Sequence, residues 1–341
     1  MQDSCTLDET DHALINVLQV APRAHWTDVG QAIGINAATA ARRWKRITDS
    51  GLARVICYPR LDTWAVYRCM AIVEVDCEPA TRDQVVDELA RMPPVASVTI
   101  ASSGRDLYLT VLTPSLAALS DLVLRGLNRL TGIRGTRTHL ITRLFGEGGR
   151  WRLGALDGRQ REAVPEPDRT ASHLLPEKDR DLLVALADGR RTFAELAALT
   201  SASVSTARRR VDRAVREGTL TFRCETAQPT TGWPVQASFW ARVPPDQLHR
   251  IATGLVTRPE IRICAAVTGT DNLAIGLWLQ SLADIQRFEE DLARSFPTIS
   301  VTDRAICLRA VKRMGCRLDP EGRAVEVIPI DPWAAPGLGA L

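Results

Sequence analysis

The 341-residue chain lacks the features that mark membrane, secreted and metal-dependent proteins. No apolar run reaches the roughly 18 residues that a membrane-spanning helix needs, and the acidic start, residues 1–11, does not resemble a signal peptide. The eight cysteines contain no C-x-x-C pair and the five histidines stand singly, so neither a disulfide framework nor a zinc site is indicated. We therefore expect a cytoplasmic protein with buried or free thiols, no membrane association, no metal and no cofactor.

Net charge is also nearly absent. The chain has 43 Lys and Arg residues against 40 Asp and Glu residues, a formal charge of +3. Affinity for a polyanion must then come from local clusters of charge and not from the overall balance. The composition, 45% hydrophobic and 24% charged, is ordinary for a globular protein, and the length allows two to four domains.

Arginines do cluster in one stretch, residues 36–50, which reads N-A-A-T-A-A-R-R-W-K-R-I-T-D-S. Asn36 is a favourable N-cap and Gly51 is a favourable glycine just past the C-terminus, so both ends of a helix are marked. Apolar residues recur at three- and four-residue spacing at Ala37, Ala40, Trp44 and Ile47. The stretch therefore predicts a helix with one face that packs and another that is cationic.

Two shorter helices are predicted before this basic helix. Their apolar positions are Leu14, Ile15 and Leu18 in the first helix and Val29 and Ile33 in the second. Gly34 and Ile35 form a short turn between the second and third helices. Three helices with a glycine-containing turn before the third indicate a helix-turn-helix, and the β-rich run at residues 52–58 predicts its wing.

From Trp64 the pattern changes to strands alternating with helices, in the order β-α-β-β-α-β. The predicted strands are residues 65–76, 95–102, 107–112 and 134–145, and the predicted helices are residues 80–92 and 115–130. This is the split βαβ, or ferredoxin-like, arrangement, in which both helices cover one face of an antiparallel sheet. Because an open apolar sheet face is normally covered, we expect the unit to be paired.

The same order returns about 167 residues later, with a T-x-x-E capping box at residues 192–195 and a second basic helix from Ser203. We therefore predict an α+β fold of two winged helix-turn-helix domains alternating with two ferredoxin-like (βαββαβ) domains. The predicted boundaries are 1–62 and 174–227 for the winged domains, 63–145 and 228–314 for the ferredoxin-like domains, 146–173 for a linker and 315–341 for an extended C-terminal tail.

The N-terminal halves of the two basic helices are the predicted DNA contacts, because short side chains there can approach base edges and arginine can bind guanine through two hydrogen bonds. The predicted DNA-binding residues are Asn36, Ala38, Thr39, Arg42, Arg43 and Arg46 in the first copy and Ser203, Ser205, Thr206, Arg209, Arg210 and Arg213 in the second. For Arg46 and Arg213 we favour contact with phosphate only. The alternative is that each basic face is simply solvated.

Several strings in this order resemble the Lrp/AsnC (feast/famine) transcription regulators, here in a tandem form with two copies in one chain. They are L-D-E-T-D-H-A-L-I at residues 7–15, G-I-N-A-A-T-A-A-R-R-W-K-R-I at 34–47, S-G-L at 50–52 and T-G-T-D-N-L at 268–273. The order of a winged module followed by a split βαβ module is more specific than any of them. The resemblance implies that the second module, called RAM, assembles dimers into larger rings and binds amino acids or related small molecules near its hairpin loop.

The effector residues implied by this resemblance lie in the two hairpin loops. They are Thr268, Gly269, Thr270, Asp271 and Asn272 in the second copy and Ser103, Gly104 and Asp106 in the first. The first loop departs from the family pattern because its glycine is displaced by one position, so we rank the second loop first. There Asn272 replaces the usual Asp and leaves a neutral polar group to meet a ligand. The alternative is a plain hairpin turn that needs Gly269 for a positive φ.

Together these observations predict a sequence-specific, double-stranded-DNA-binding transcription regulator, modulated by a small-molecule effector. One chain is expected to fold as a pseudo-dimer and to assemble further into homo-oligomers. Because its two basic helices differ, it should prefer unlike half-sites. A chromosome-organising protein of low specificity and a small-molecule-sensing module without DNA remain alternatives. An enzyme is disfavoured because the sequence presents no nucleophile–base pair, metal cluster or cofactor loop.

Overall fold

The computed structural model describes residues 7–102, 104–164 and 171–335. Its helices are α1 (Glu9–Val20), α2 (Trp26–Ile33), α3 (Ala37–Asp49), α4 (Leu61–Tyr67), α5 (Arg82–Arg91), α6 (Leu116–Asp121), α7 (Gly158–Glu162), α8 (Arg180–Ala185), α9 (Phe193–Leu199), α10 (Val204–Arg216), α11 (Leu248–Leu255) and α12 (Asp284–Ser295). Its strands are β1 (Ala53–Pro59), β2 (Cys69–Cys77), β3 (Val95–Ala101), β4 (Leu107–Thr113), β5 (Ile133–Gly146), β6 (Leu220–Thr226), β7 (Val235–Arg242), β8 (Ile261–Val267), β9 (Leu273–Leu279), β10 (Ser300–Arg313), β11 (Cys316–Leu318) and β12 (Ala324–Val327).

The first helical unit, α1 to α3, forms as the sequence predicts. The Asn36 side chain accepts a hydrogen bond from the Thr39 backbone N–H at 2.7 Å, which caps α3. Gly34 ends α2 with a φ of +74°, and Gly51 follows α3 with a φ of +69°. The apolar stripe of α3 is buried against α1, where Leu14 and Ile15 are fully buried, so the opposite face of α3 is left outside.

The second helical unit, α8 to α10, repeats this arrangement. The hydroxyl of Ser203 accepts a hydrogen bond from the Thr206 backbone N–H at 3.1 Å, and Gly218 follows α10 with a φ of +62°. The predicted capping box is present, since Thr192 and Glu195 satisfy each other's backbone N–H groups. Both basic stretches are therefore helices with the predicted ends.

The predicted wings do not form within their own units. Strands β1 and β6 occupy the predicted positions, but they pair with each other in antiparallel register, from Ala53 opposite Thr226 to Pro59 opposite Leu220. Together they make a two-stranded ribbon that lies between the helical units and is mostly buried. The sequence shows that both runs favour strands but cannot distinguish a local hairpin from a partner far along the chain.

The first strand of the sheet, predicted at residues 65–76, begins later than expected. Residues 61–67 form helix α4, and strand β2 begins only at Cys69. The aromatic and β-branched run around Trp64 favours a strand by local propensity. Tertiary packing overrides it, because the helical conformation buries Trp64 completely and lets its indole N–H donate to the Thr113 carbonyl at 3.1 Å.

The two ferredoxin-like sheets join at both edges. Strand β5 pairs with β8 and β10 pairs with β3, and a further pairing of β10 with β7 closes the circuit β10-β3-β4-β2-β5-β8-β9-β7. Helices α5 and α6 pack outside the first sheet, and α11 and α12 pack outside the second. The inner faces of the two sheets therefore face each other across one closed barrel, as expected for a paired open face.

The C-terminal segment is not a plain extended arm. Strands β11 and β12 form a hairpin beside β10, and the Ala324 backbone N–H donates to the Gly51 carbonyl at 2.8 Å. The Trp333 ring then packs edge-on against Trp64, with 5.2 Å between centroids. Composition rich in Pro and Gly suggested an arm, but Gly315 and Gly322 provide the turns that fold it back onto the body.

The described residues contain neither a membrane-spanning helix nor a cluster of metal ligands. None of the described helices is long and apolar enough to cross a membrane. Within the same residues, no group of three or more His, Cys, Asp and Glu side chains is placed to hold a metal ion.

Candidate DNA-binding helices and ligand-binding core

Helix α3 presents the outer face that the sequence assigns to DNA. Asn36, Ala38 and Arg42 are exposed, and Thr39 is half-buried beneath Arg42. These side chains occupy the first turns of the helix, next to its free N–H groups. The face is therefore open to solvent and carries short side chains together with the exposed guanidinium of Arg42.

Arg43 and Arg46 are placed differently, since both bind acidic residues at the start of α1. Arg43 Nη1 lies 2.7 Å from Asp8 Oδ2 and 2.9 Å from Asp11 Oδ1, and Arg46 also binds Asp11. The Asp11 side chain is completely buried by this contact. Burial opposes ionisation of Asp8, but the hydrogen bonds from Arg43 and the Asp11 backbone N–H, together with the charges of Arg43 and Arg46, outweigh it and lower the Asp8 pKa below its ordinary value. The two arginines therefore anchor α3 to α1.

Helix α10 repeats this division. Arg210 Nη2 lies 2.6 Å from Asp181 Oδ1 and 3.1 Å from Asp179 Oδ1, and Arg213 Nη2 lies 2.9 Å from Asp179 Oδ2. Hydrogen bonds to Asp181 raise the pKa of Arg210. Arg209, in contrast, is exposed.

The remaining predicted residues of α10, Ser203, Ser205 and Thr206, lie together at its capped N-terminus. Ser203 and Ser205 are exposed and Thr206 is half-buried. Sequence reasoning missed the acidic partners of the arginines. A signal was available, because each first helix begins with aspartates while each third helix carries arginines three residues apart.

The second hairpin loop uses its polar groups within the protein. Asn272 Oδ1 accepts from the Val243 backbone N–H at 2.9 Å, and its Nδ2 donates to the Val243 carbonyl at 2.7 Å. Thr268 Oγ1 accepts from the Leu140 backbone N–H at 3.0 Å, and Gly269 has a φ of +122°. The Thr270 carbonyl accepts from Arg242. Asn272 therefore closes the hairpin against the end of β7 and is not a free group awaiting a ligand.

Asp271, in the same loop, accepts a hydrogen bond from the Thr302 hydroxyl at 2.8 Å, which ties the loop to β10. In the first loop Asp106 matches the role of Asn272, since its Oδ2 accepts from the Cys77 backbone N–H at 2.8 Å at the end of β2. Its other oxygen binds Arg82 at 2.5 Å. Gly104 is exposed with a φ of +61°, and Ser103 lies outside the described residues. An effector role for either loop stays a prediction.

A buried charge cluster lies inside the barrel near these loops. Glu74 in β2 has no exposed surface, and its carboxylate lies 2.5 Å from Arg105 Nε and 3.3 Å from His139 Nε2. Burial alone would raise the Glu74 pKa, but the hydrogen bonds from His139 and Arg105 prevail and lower it. The same contact with Glu74 raises the His139 pKa above 6.5. Trp240, which occupies in β7 the place that Glu74 has in β2, packs against His139 with 4.5 Å between ring centroids and 49° between ring planes.

The barrel encloses a cavity of about 180 Å³ that both ferredoxin-like units line. The first unit contributes Tyr108 and the second contributes Trp240, Arg262, Trp278 and Arg313. A larger cavity, of about 510 Å³, lies between the helical units and the end of β5 and is lined mainly by apolar atoms. The smaller cavity is therefore the one within the ligand-binding core.

Comparison with known proteins agrees with these features. Residues 7–47 match the AsnC-type helix-turn-helix domain, and residues 70–150 and 236–315 each match the Lrp/AsnC ligand binding domain. An uncharacterized HTH-type transcriptional regulator from Pyrococcus horikoshii is 30% identical over 136 residues, which are 40% of this chain and 86% of that protein. The chain belongs to the Lrp/AsnC family.

Two further proteins resemble this Lrp/AsnC chain, one in sequence and one in fold. The HTH-type transcriptional regulator AldR from Mycobacterium tuberculosis is 26% identical over 139 residues, 40% of this chain and 77% of AldR. The crystal structure of the siroheme decarboxylase NirDL has a TM-score of 0.56 at 13% identity and covers 90% of this chain and 93% of its own. The second likeness shows a shared fold over both halves. The matched segment of each regulator covers 40% of this Lrp/AsnC chain.

Proposed function

We propose that this Lrp/AsnC protein is a transcription regulator in which one polypeptide supplies two helix-turn-helix units and two ligand-binding domains as a pseudo-dimer. The observation that carries the proposal is the duplicated outer face of α3 and α10. In each helix the capped N-terminus and an arginine that forms no ion pair with these aspartates, Arg42 or Arg209, are exposed, while two further arginines bind aspartates of the unit's own N-terminal segment. Such a face fits the major groove, where helix N-termini meet base edges.

The proposed DNA-binding residues have two roles: residues called readers contact the DNA bases, and residues called anchors hold the reading helix in place. Arg42 and Arg209 are the charged readers, because each is exposed on the outer face. The short neighbours proposed to approach base edges are Asn36, Ala38 and Thr39 in α3 and Ser203, Ser205 and Thr206 in α10. Arg43, Arg46, Arg210 and Arg213 hold the helices at the correct angle through their ion pairs, so they support DNA binding indirectly.

The two reading faces are chemically unlike. The first offers an amide and alanine where the second offers two serines, so one chain should prefer an operator with two different half-sites. The ribbon of β1 and β6 ties the two units together, which fixes their spacing. A footprint with identical half-sites read by a single chain would count against this arrangement. Uniform affinity for all duplexes would instead favour the chromosome-organising alternative.

A small-molecule effector and further assembly into homo-oligomers complete the proposal. Both expectations are supported by the two matched ligand-binding domains. Exposed apolar side chains on the ferredoxin-like units, such as Leu116, Leu124 and Leu282, offer surface for assembly.

Salt titration of DNA binding tests the central claim. Affinity of the whole chain for a duplex would be measured by fluorescence anisotropy across a salt series, with wild type and the Arg42→Ala/Arg209→Ala variant. The guanidinium of each reading arginine neutralises phosphate charge as it enters the groove, and each neutralised phosphate contributes about 0.9 to the slope of log affinity against log salt, so the double variant should lose up to about 1.8. Both substitutions are on the surface, so the thermal stability of the variant should be close to that of wild type.

A matched control removes the same charge elsewhere. Arg125→Ala/Arg287→Ala deletes two arginines, each 71% exposed, from the outer surface of the ferredoxin-like units. This control should keep the wild-type salt slope. Equal losses of slope in the two double variants would contradict the assignment of α3 and α10 as the reading helices.

Catalysis is not part of this proposal, although NirDL shares the fold. The likeness at 13% identity concerns fold alone, and fold does not determine activity. The cavity between the ligand-binding domains, about 180 Å³, has room for roughly six water molecules and is far smaller than a tetrapyrrole. Addition of siroheme to the purified chain should leave the absorption spectrum of the tetrapyrrole unchanged. Tight binding followed by loss of carboxylate groups would overturn this view.

A further inference from the structure

The cavity inside the barrel contains an arginine without a counter-ion. Arg262 in β8 has no carboxylate within ion-pair distance among the described residues, and its Nη1 is buried without a hydrogen-bond partner there. Its guanidinium lies 3.7 Å from the centroid of the Trp278 ring and 4.8 Å from that of Trp151. Stacking on the two rings holds the planar group in place but leaves the N–H donors of Nη1 unsatisfied.

Two more arginines surround this group. Arg313 donates to the neutral side-chain oxygens of Gln228 and Gln236 at 2.9 and 3.3 Å. Arg223 binds Glu225 and lies 3.7 Å from Glu147. Burial lowers the Arg262 pKa well below its ordinary value, and the neighbouring Arg223 and Arg313 lower it further. Three guanidinium groups therefore face two carboxylates, an excess of one positive charge at a place where Arg223 is buried and Arg262 and Arg313 are half-buried.

Other unsatisfied groups line the same cavity. The hydroxyl of Tyr108 and the indole N–H of Trp240 are both buried and make no hydrogen bond of good geometry to a described residue, although they lie near each other and Tyr108 lies near Arg105. An unpaired polar group in a folded interior is costly, and such groups normally mark a missing partner. Indole and guanidinium N–H groups can only donate, so the missing partner must supply acceptor atoms.

We propose that this cavity binds a small organic carboxylate, with its negative charge on Arg262 and its body between the two sheets. The carboxylate accepts hydrogen bonds from Nη1 of Arg262 and neutralises the excess charge of the three arginines. Tyr108 and Trp240 donate to a further acceptor atom of the ligand. The site lies inside the barrel, apart from both hairpin loops, and is built from both halves of the chain.

The size of the cavity limits the ligand. A cavity of about 150 Å³ in another protein accommodates benzene, so the volume here, about 180 Å³, suits a single ring or a short chain bearing one carboxylate. Aromatic side chains and Ile263 line part of it, which favours an apolar body.

This site also offers a route from ligand to DNA and in that respect rests on the proposed function. Arg223 belongs to β6, which pairs with β1 in the ribbon between the two helical units. A carboxylate bound at Arg262 and Arg313 offsets their positive charge. This changes the electrostatic environment in which Arg223 pairs with Glu225 and Glu147. The ribbon is the element through which the pair of reading helices would respond.

Calorimetric titration of the whole chain with benzoate, in the absence of DNA, tests the site. Benzamide, which has the same ring without the charge, is the matched control ligand. Benzoate should bind saturably with one site per chain, and benzamide should bind at least about tenfold more weakly, because hydrogen bonds between charged partners are stronger than neutral ones. Equal binding of the two compounds, or no binding of benzoate, would overturn the proposal.

A variant locates the binding. Arg262→Gln should lower the affinity for benzoate by about tenfold or more. Arg125→Gln, on the outer surface, should leave that affinity unchanged. Unaltered benzoate affinity in a folded Arg262→Gln chain would place the ligand elsewhere. If that variant does not fold, the wild-type comparison of benzoate with benzamide still decides. Because these titrations contain no DNA, their failure leaves the reading helices untouched, and failure of DNA binding leaves the cavity result standing.

Discussion

Replacing Glu74 by glutamine should destabilise the barrel strongly, although the change removes only one charge. The Glu74 carboxylate is fully buried and lies within 3.3 Å of His139 and 2.5 Å of Arg105. Glutamine keeps the shape and one oxygen acceptor but presents N–H groups to side chains that are themselves donors. Arg105, only 18% exposed, would retain Asp303 as its one carboxylate partner among the described residues.

The magnitude follows from the burial of the pair. Removal of one partner from a buried ion pair costs about 3–5 kcal/mol, and we expect about 3 kcal/mol because His139 can release its proton. For a domain of this size that corresponds to a decrease in Tm of about 6–12 °C. A surface pair behaves differently. Glu78 and Arg134 lie 3.9 Å apart with about half of each side chain exposed, so Glu78→Gln should cost less than about 1 kcal/mol.

The pH dependence gives an independent signature. The raised His139 pKa means that its proton contributes stability fully below pH 6.5, the ordinary value, and that this contribution is lost as pH rises through the folded pKa. The lowered Glu74 pKa means that its charge contributes above pH 4.5 and is lost as pH falls through the folded pKa. The cluster therefore stabilises the barrel most between pH 4.5 and pH 6.5. Glu74→Gln should reduce the pH dependence of the free energy of unfolding on both the acidic and the basic side of this range.

Urea unfolding at a series of pH values, followed by tryptophan fluorescence, would measure these effects for wild type, Glu74→Gln and Glu78→Gln. Wild type and Glu78→Gln should share one pH profile, and Glu74→Gln should lie below them near neutrality. If Glu74→Gln were within about 1 kcal/mol of wild type with the same pH profile, the reasoning about the buried cluster would be refuted.

Three further changes test other parts of the molecule. Burial lowers the Lys312 pKa to about 7 from 10.5, so the free energy of unfolding of the wild type should rise with pH between those values. In urea titrations Lys312→Met should abolish this rise and be more stable than wild type below pH 7. An unchanged pH slope in the variant would contradict this reasoning. Asp11→Asn removes the buried partner of Arg43 and should lower hydrogen-exchange protection of α3, which equal protection would disprove. Gly51→Ala places a methyl group 2.5 Å from the Ala324 carbonyl at a positive φ, so limited proteolysis should release the C-terminal hairpin faster, and an unchanged cleavage rate would count against its docking there.

Much of the local structure was predictable because its causes are local. Caps at Asn36 and Ser203, the capping box at Thr192 and the glycines after both basic helices depend on a few neighbouring residues, and each forms as expected. The β-α-β-β-α-β order in each half likewise follows from hydrophobic periodicity within single elements.

Errors arose where distant residues compete for the same segment. The run around Trp64 favours a strand locally but becomes a helix, because that places the indole against the end of β4. The β-rich run after each basic helix pairs with its counterpart in the other half and not with a local wing strand. In both cases the decisive contact is tens to hundreds of residues away, beyond the reach of any local pattern.

The candidate site shows the same limit. Periodicity placed Arg42, Arg43 and Arg46 away from the apolar stripe of α3, which is correct. It could not show that Asp11 binds Arg43 and Arg46 and leaves Arg42 exposed, because α1 must first pack against α3. Nor could it single out Arg262, whose lack of a counter-ion is visible only once two sheets enclose it.

By itself, the sequence determined the helices, the strands, their caps and their repetition, because short-range geometry and hydrophobic spacing are written in adjacent residues. Only the tertiary structure decided which strands join the halves, which arginines remain free and which buried groups lack a partner. Those properties depend on desolvation and on contacts between segments far apart in the chain, so they exist only after the barrel and the ribbon have closed.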